Sequence, residues 1–215
     1  MTPQFAQAVD PVFLAMLDLL EQIQQRQPLS PQSERFRLTT AIDLAEASTS
    51  GPEWELAKYA LVSWIDELLV ETDWVGRDWW SNNVLEVQYF NTRLCNERFY
   101  VRAQEAAAQP RRDALEVFYN CVVLGFRGVY RDPGLAEALT PALGLPPDLM
   151  TWTRQAALAI RLGQGRAPLP RPRREIVGVP PRKNRSRIVW FVAAAAVLLV
   201  LNVVWLLKSV VPLGG

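Results

Sequence analysis

Two adjacent carboxylates, Asp66 and Glu67, are the side chains of this sequence best suited to acid–base chemistry. They lie in the segment WELAKYALVSWIDELLVETDW, whose apolar residues recur at helical spacing. At about 100° per residue, the two carboxylates fall on opposite edges of the apolar stripe and diverge. A close acid–base pair is therefore not expected, and binding a partner or locking the core is favoured over catalysis. The alternative is that both are solvated charges at the boundary of the stripe.

Exposure separates these interpretations of Asp66 and Glu67. If both side chains are exposed, replacing them with alanine is expected to weaken partner docking while the protein stays folded. A loss of helicity by circular dichroism would instead indicate a structural role.

Few other residues offer chemistry. The sequence has no histidine, which removes Ser-His-Asp and Cys-His catalysis and histidine-ligated metals. Cys95 and Cys121 are far apart and form neither a disulfide framework nor a zinc motif, so both are expected to be small core residues. We therefore expect no catalytic residue, no metal and no cofactor, although a membrane enzyme using carboxylates stays open as a second hypothesis.

Aromatic and glycine-rich segments supply the remaining candidates. Trp74, Trp79 and Trp80 crowd a short polar segment, where they are either anchors for a partner or caps on the core. The run GFRGVY, residues 125–130, lacks the spacing of a phosphate loop and is predicted to end a helix. Arg127 within it is a candidate to fold back toward Asp66 or Glu67.

The charges of the chain are unevenly distributed. Residues 1–165 carry 14 Lys/Arg against 21 Asp/Glu, whereas residues 166–187 carry eight basic residues against one Glu. An acidic body followed by a basic collar is not the layout of a nucleic-acid-binding protein, so no nucleic acid is expected. A basic collar beside an apolar segment instead suits an anionic lipid surface.

Residues 188–207, IVWFVAAAAVLLVLNVVWLL, predict a single C-terminal transmembrane helix because twenty uncharged residues span about 30 Å. The basic residues lie on its N-terminal side, which places the preceding residues in the cytoplasm. No signal peptide is recognisable at the N-terminus, and residues 208–215 are expected to be a short periplasmic tail. Asn202 is either a site of helix–helix association or a tolerated polar residue near the outer interface.

The rest of the chain reads as helices separated by proline and glycine. Residues 1–162, called the helical body below, form one all-α domain, and residues 163–187 form a basic linker rich in Pro and Arg. Helices are predicted over 12–25, 31–47, 53–71, 79–90, 95–108, 113–126, 135–143 and 148–162, with a loop at 73–78 and a bend near Asn91. Ser30 is the predicted N-cap of the second helix.

Three blocks in this order resemble the DotU/IcmH/TssL family of bacterial secretion-system membrane proteins. They are AKYALVSWIDE at 57–67 followed by Trp74, LEVQYFN at 85–91 with ERFY at 97–100, and LEVFY at 115–119 leading into LGFRGVY at 124–130. The likeness covers roughly residues 10–160 together with the late anchor. Arg93 to Asn96 departs from it, because many relatives look richer in glycine there.

The resemblance implies a non-enzymatic component of the inner-membrane complex of a type VI or type IVB secretion system. Its fold would be a cytoplasmic helical body of two small packed bundles. The implied partners are an IcmF/TssM-like membrane protein, a baseplate component such as TssK in the type VI case, membrane lipid and, as a candidate, a second copy of the chain. Matching positions make Asp66, Glu67 and Trp74 candidate partner-binding residues, beside Trp79, Trp80 and Arg127 from the residue patterns. The alternatives are a type IVB stabiliser of the IcmF-like protein and a tail-anchored adaptor outside secretion.

Overall fold

The computed structural model describes residues 1–163 and 185–210, with side chains up to Gly163 and over residues 191–205. Every regular element within these residues is helical, which confirms the all-α prediction. The chain divides into two units, Met1–Ala167 and Pro168–Gly215. The first unit contains α1 (Pro3–Gln24), α2 (Pro31–Ser48), α3 (Pro52–Glu71), α4 (Arg77–Asn82), α5 (Leu85–Phe90), α6 (Cys95–Ala108), α7 (Asp113–Val123), a 3-10 helix (Gly128–Arg131), α8 (Pro133–Leu139) and α9 (Leu149–Gly163).

Helix α3 is the centre of the helical body. It contacts α1, α4, α5, α6 and α7, and residues on every side of it are buried between Trp54 and Leu69. A helix surrounded in this way is apolar nearly all round. The sequence analysis assigned α3 a single apolar stripe, and this description was wrong because neighbours also cover the flanks of the stripe.

Helix α1 begins earlier than predicted. The expected start at residue 12 assumed that Pro11 could not lie inside a helix, whereas α1 runs through it from Pro3. Pro11 is exposed, and the turns before it bury Phe5 and Val9 in the core. The start of the helix is also tied to α7, because the Thr2 backbone N–H donates to Asp113 Oδ1 at 2.7 Å. These tertiary contacts offset the backbone hydrogen bond that proline cannot donate.

The predicted helix over residues 79–90 is two short helices, α4 and α5. Asn83 and Val84 separate them with non-helical backbone, and the chain re-enters a helix at Leu85. Asn91 adopts a left-handed conformation with φ of 52°, which confirms the predicted bend. The break between α4 and α5 is stabilised by a buried carboxylate from α3, described below.

Local sequence signals elsewhere were read correctly. Ser30 caps α2, accepting a hydrogen bond from the Ser33 N–H at 3.4 Å, and α6 has the predicted bounds. Asp132, for which no cap was predicted, accepts from the Gly134 N–H at 2.8 Å and caps α8. The helix predicted to end at Phe126 stops at Val123, because the chain turns at Gly125, whose φ is 117°.

The second unit contains α10, Arg185–Val210. Its described side chains, from Phe191 to Trp205, are exposed and almost all apolar, and Asn202 is exposed among them. Among the residues that the structure describes, no helix is both long enough and apolar enough to cross a membrane. The predicted transmembrane helix therefore stays a prediction, and much of the predicted linker and all of the tail beyond residue 210 lie outside the described residues.

Candidate functional site

Asp66 holds the chain where α4 ends and α5 begins. Its side chain is 3% exposed. Oδ1 accepts from the Leu85 N–H at 2.8 Å and from the Trp80 indole N–H at 2.9 Å, and Oδ2 accepts from the Glu86 N–H at 2.7 Å. Because the first turn of a helix leaves backbone donors unpaired, a carboxylate placed there satisfies them and interacts favourably with the helix dipole.

Glu67 likewise accepts hydrogen bonds from backbone N–H groups, in the turn that follows α7. It is 6% exposed, and its two oxygens accept from the backbone N–H groups of Arg127 and Gly128 at 2.7 and 2.8 Å. The Arg131 guanidinium donates to Glu67 Oε1 at 2.7 Å. The two neighbouring carboxylates therefore serve different segments, as their divergence on the helix predicted, but the prediction that they are solvated boundary charges was wrong.

A third buried carboxylate, Glu86, was missed by the sequence analysis. It is 1% exposed and accepts from the backbone N–H groups of Leu94 and Cys95 at 2.9 and 3.2 Å, where α6 begins. Thr92 and Tyr59 also donate to it through their hydroxyl groups. The available signal was a charged residue within the LEVQYF segment, yet nothing local to the sequence shows that its donors lie eight or nine residues further on.

Together, Asp66, Glu67 and Glu86 form the buried carboxylate cluster. The side chain of each member extends from one helix and accepts hydrogen bonds from the first backbone N–H groups of a later helix. Asp66 and Glu67 thereby bond α3 to α5 and to the 3-10 helix, and Glu86 bonds α5 to α6. Glu53 extends the pattern by accepting from the Ala114 N–H, at the start of α7, at 3.0 Å. These contacts join helices that are distant in the sequence.

The cluster lies along one cleft of about 130 Å³, called the acidic cleft below. Its remaining lining residues are Val70, Glu71, Val84, Arg93, Cys95, Asn96 and Arg131. A larger groove of about 320 Å³ lies elsewhere, beside Thr2, Ser48 and Arg111. We regard the acidic cleft as the candidate site because charged side chains of both signs converge there.

The carboxylates of the acidic cleft are engaged by the protein, and its environment disfavours nucleophilic chemistry at Cys95. Every oxygen of Asp66, Glu67 and Glu86 already accepts a hydrogen bond from the protein. Burial raises the pKa of Asp66 to about 6, against the lowering effect of its three donors. Burial, followed by the nearby carboxylates, raises the pKa of the Cys95 thiol far above its usual range, so that the thiol stays protonated.

The two cysteines differ in placement. Cys121 is fully buried, as expected for a core residue. Cys95 is only partly buried and lines the acidic cleft, so the prediction of a core position does not hold for it.

The three tryptophans form one contiguous group with different exposures. Trp80 is fully buried and bonded to Asp66, while Trp74 and Trp79 are partly buried against the core. The rings of Trp74 and Trp79 lie 6.3 and 6.2 Å from that of Trp80, centroid to centroid. Trp80 therefore caps the core, the second of the two predicted roles, and partner binding by Trp74 and Trp79 stays a prediction.

Arg127 approaches Glu67 through its backbone and not through its side chain. The Arg127 N–H donates to Glu67, whereas the guanidinium donates to the carbonyl oxygens of Val122 and Phe126, both at 3.0 Å. The ion pair with Glu67 belongs to Arg131. The backbone of Arg127 thus approaches Glu67 as expected, whereas its charged side chain does not.

Gly128 is the residue that allows the backbone to approach Glu67. Its φ is 52°, and a Cβ there would lie 2.8 Å from Phe126 Cε1 and 3.0 Å from the Asn96 carbonyl oxygen. We expect Gly128→Ala to lower the free energy of unfolding by about 2–3 kcal/mol, combining left-handed strain with the clash. The matched control is Gly144→Ala, with φ of 64° and no atom within 4 Å of its Cβ, which isolates the strain. Urea unfolding of the full chain in detergent measures both; equal losses would contradict the role of the close approach.

Comparison with known proteins agrees with this architecture. The profile of the family described as "Type VI secretion system protein DotU" matches residues 4–210. The cytoplasmic domain of TssL from Acinetobacter baumannii superimposes with a TM-score of 0.59 at 20% identity, covering 74% of this chain and 98% of that one. SciP/TssL of the type VI secretion system from enteroaggregative Escherichia coli 042 gives a TM-score of 0.49 at 21% identity, covering 67% and 89%. No significant match was found among curated proteins.

The match over almost the whole chain defines the class: the chain belongs to the DotU family of type VI secretion system proteins. Its helical body has the fold of a TssL cytoplasmic domain. The family resemblance and the all-helical fold expected from the sequence are both confirmed.

Proposed function

We propose that this protein is a non-enzymatic structural component of the type VI secretion membrane complex, which pairs with an IcmF/TssM-like protein and docks the baseplate. The observation that carries the proposal is the family match across residues 4–210, which includes the helical body and most of the C-terminal helix. The hydrogen bonds of Asp66, Glu67 and Glu86 support a scaffolding role, because each carboxylate holds a later segment of the chain in place.

Residues 188–207 are proposed to anchor the protein in the bacterial inner membrane by a single span. Support comes from the uncharged run itself, from the helical conformation of α10 and from the exposed apolar side chains along it. The excess of basic residues before the run supports a cytoplasmic body and a periplasmic C-terminal tail. Asn202 would then be a polar contact for a neighbouring helix, either of the IcmF-like protein or of a second copy.

For the cytoplasmic partner, we propose a surface next to the buried carboxylate cluster. Arg131, Glu71 and Arg93 are exposed residues that line the acidic cleft. Arg127 is exposed in the segment that Glu67 holds, which also contains Arg131. Asp66 and Glu67 act on docking through the segments they position, since neither side chain is exposed enough to contact a partner directly. A protein such as TssK is the expected ligand of this surface.

Affinity purification of the detergent-solubilised full chain from its own host tests the proposal. An IcmF-like protein and a baseplate component are expected to co-purify. Arg127→Glu is expected to reduce recovery of the baseplate component at least ten-fold, because reversing one interfacial charge costs more than about 1.4 kcal/mol. Arg102→Glu is the matched control, an arginine on α6 that pairs with Glu105 at 2.8 Å. If the chain purifies alone and its deletion leaves secretion intact, the proposal fails.

The alternative roles predict different surroundings. A type IVB stabiliser would co-purify with an IcmF-like protein and no baseplate component, and an adaptor outside secretion would recover neither. The family description favours the type VI system.

A further inference from the structure

Helix α9 presents a second, outward apolar face. Its buried residues, Trp152, Ala156 and Ile160, follow each other at intervals of four and pack toward the core. On the outer side, Met150, Leu158 and Leu162 are 61%, 59% and 73% exposed. These three large apolar side chains lie eight and four residues apart, on one side of the helix, and form a stripe that no described residue covers.

The charges interleaved with this stripe are positive. Arg154 and Arg161 are both exposed, and α9 contains no Asp or Glu, although residues 1–165 as a whole are acidic.

Asp148 is the carboxylate at the other end of the stripe. It precedes α9 and is engaged by Thr151, whose N–H and hydroxyl donate to it at 2.8 and 2.7 Å. The hydrogen bonds from Thr151, with a smaller effect of Arg154, lower the pKa of Asp148. Asp148 therefore stays negatively charged at the N-terminal end of the stripe, and the positive charge of Arg154 and Arg161 lies in its middle and C-terminal part.

We infer that the outer face of α9, defined by Met150, Arg154, Leu158, Arg161 and Leu162, binds an anionic lipid surface. Apolar side chains with interleaved arginines on one helix face are the combination that adsorbs at a charged membrane interface. Chain continuity supports this ligand, because α9 is the last helix before the basic residues 166–187 and the apolar residues 188–207. The inference deepens the proposed function: the body would be oriented on the membrane as well as tethered to it.

The test uses the full chain in nanodiscs whose phosphatidylcholine carries brominated acyl chains, with or without phosphatidylglycerol. A bimane fluorophore is attached at Leu158→Cys in a Cys95→Ser background, in which the remaining Cys121 is fully buried. Bromine quenches only fluorophores that reach the acyl chains. We expect quenching in discs with phosphatidylglycerol and much less without it. Each arginine should contribute about five-fold to surface partitioning, so Arg154→Glu/Arg161→Glu should abolish the quenching.

The control position is Leu44→Cys on α2, which is similarly exposed at 66% and should stay unquenched in both discs. Quenching that is equal at positions 44 and 158, or that survives the double arginine change, would overturn the inference. A third outcome would also overturn it: no quenching of position 158 in discs, together with shielding of this position by a co-purified protein. That result would indicate that the face binds a protein.

Failure of the membrane anchor gives a separate result, because the chain would then not co-elute with discs that lack phosphatidylglycerol. In that case flotation with vesicles containing phosphatidylglycerol decides the inference. Flotation that the arginine changes abolish supports lipid binding by α9, and absence of flotation overturns it.

Discussion

Replacement of Asp66 by alanine is expected to lower the free energy of unfolding of the helical body by about 3–5 kcal/mol. The change leaves three donors without an acceptor, namely the N–H groups of Leu85 and Glu86 and the indole of the fully buried Trp80. Each unsatisfied buried donor costs about 1–3 kcal/mol, reduced here by the desolvation penalty that the carboxylate no longer pays. Urea unfolding of the full chain in detergent, followed by circular dichroism, measures the loss.

Asp43→Ala is the matched control for this change. Asp43 is exposed on α2 and accepts a single hydrogen bond, from the Tyr89 hydroxyl at 2.8 Å. Its loss should cost less than about 1 kcal/mol. Similar losses for the two variants would show that Asp66 does not organise the start of α5, and the expectation of a folded Asp66→Ala variant with weakened docking would return.

Lowering the pH should increase the contribution of Asp66 to the stability of the folded protein. Burial raises its pKa from 3.8 to about 6, so between pH 7 and 4 the folded protein takes up a proton at this group before the unfolded chain does. The contribution of Asp66 to stability therefore rises as the pH falls through this window. The free energy of unfolding of the wild type, relative to Asp66→Asn, should increase by roughly 2 kcal/mol from pH 7 to pH 4. A constant difference would mean that the three donors keep the carboxylate ionised throughout.

The second large effect is expected for Glu67→Ala, with a loss of about 3 kcal/mol in the free energy of unfolding. The backbone N–H groups of Arg127 and Gly128 lose their acceptor, and Arg131 loses its buried partner. Arg131 is 40% exposed and can turn to water, which keeps this loss below that expected for a fully buried ion pair. The turn after α7 should loosen first, detected as faster hydrogen exchange at residues 126–131.

Glu71→Ala provides a close control for Glu67. Glu71 lies on the same helix and pairs with the same Arg131 at 2.8 Å, but its side chain is 45% exposed. An ion pair in this position contributes at most about 1 kcal/mol. If Glu71→Ala is as destabilising as Glu67→Ala, the ion pair and not the buried backbone contacts holds the turn.

These two expectations reverse the one drawn from the sequence, which treated both carboxylates as replaceable if exposed. The pattern of α3 gave the correct helix and the correct divergence of Asp66 from Glu67. It could not show that neighbouring helices cover the edges of the stripe, because coverage depends on how five other helices pack around α3. A boundary charge and a buried helix cap therefore look the same in the sequence.

The sequence by itself determined the features whose physical cause is local. The Ser30 and Asp132 caps, the turn at Asn91 and the bounds of α6 each depend on a few consecutive residues. The family resemblance also came from the sequence, through short blocks in a fixed order. Only the tertiary structure decided the rest: α1 continues through Pro11 because distant contacts hold its first turns, and Glu86 is buried because α6 begins beside it. Hydrogen bonds between residues far apart in the chain leave no periodic signal, so the acidic cleft and the exposed apolar face of α9 became visible only once the helices were packed.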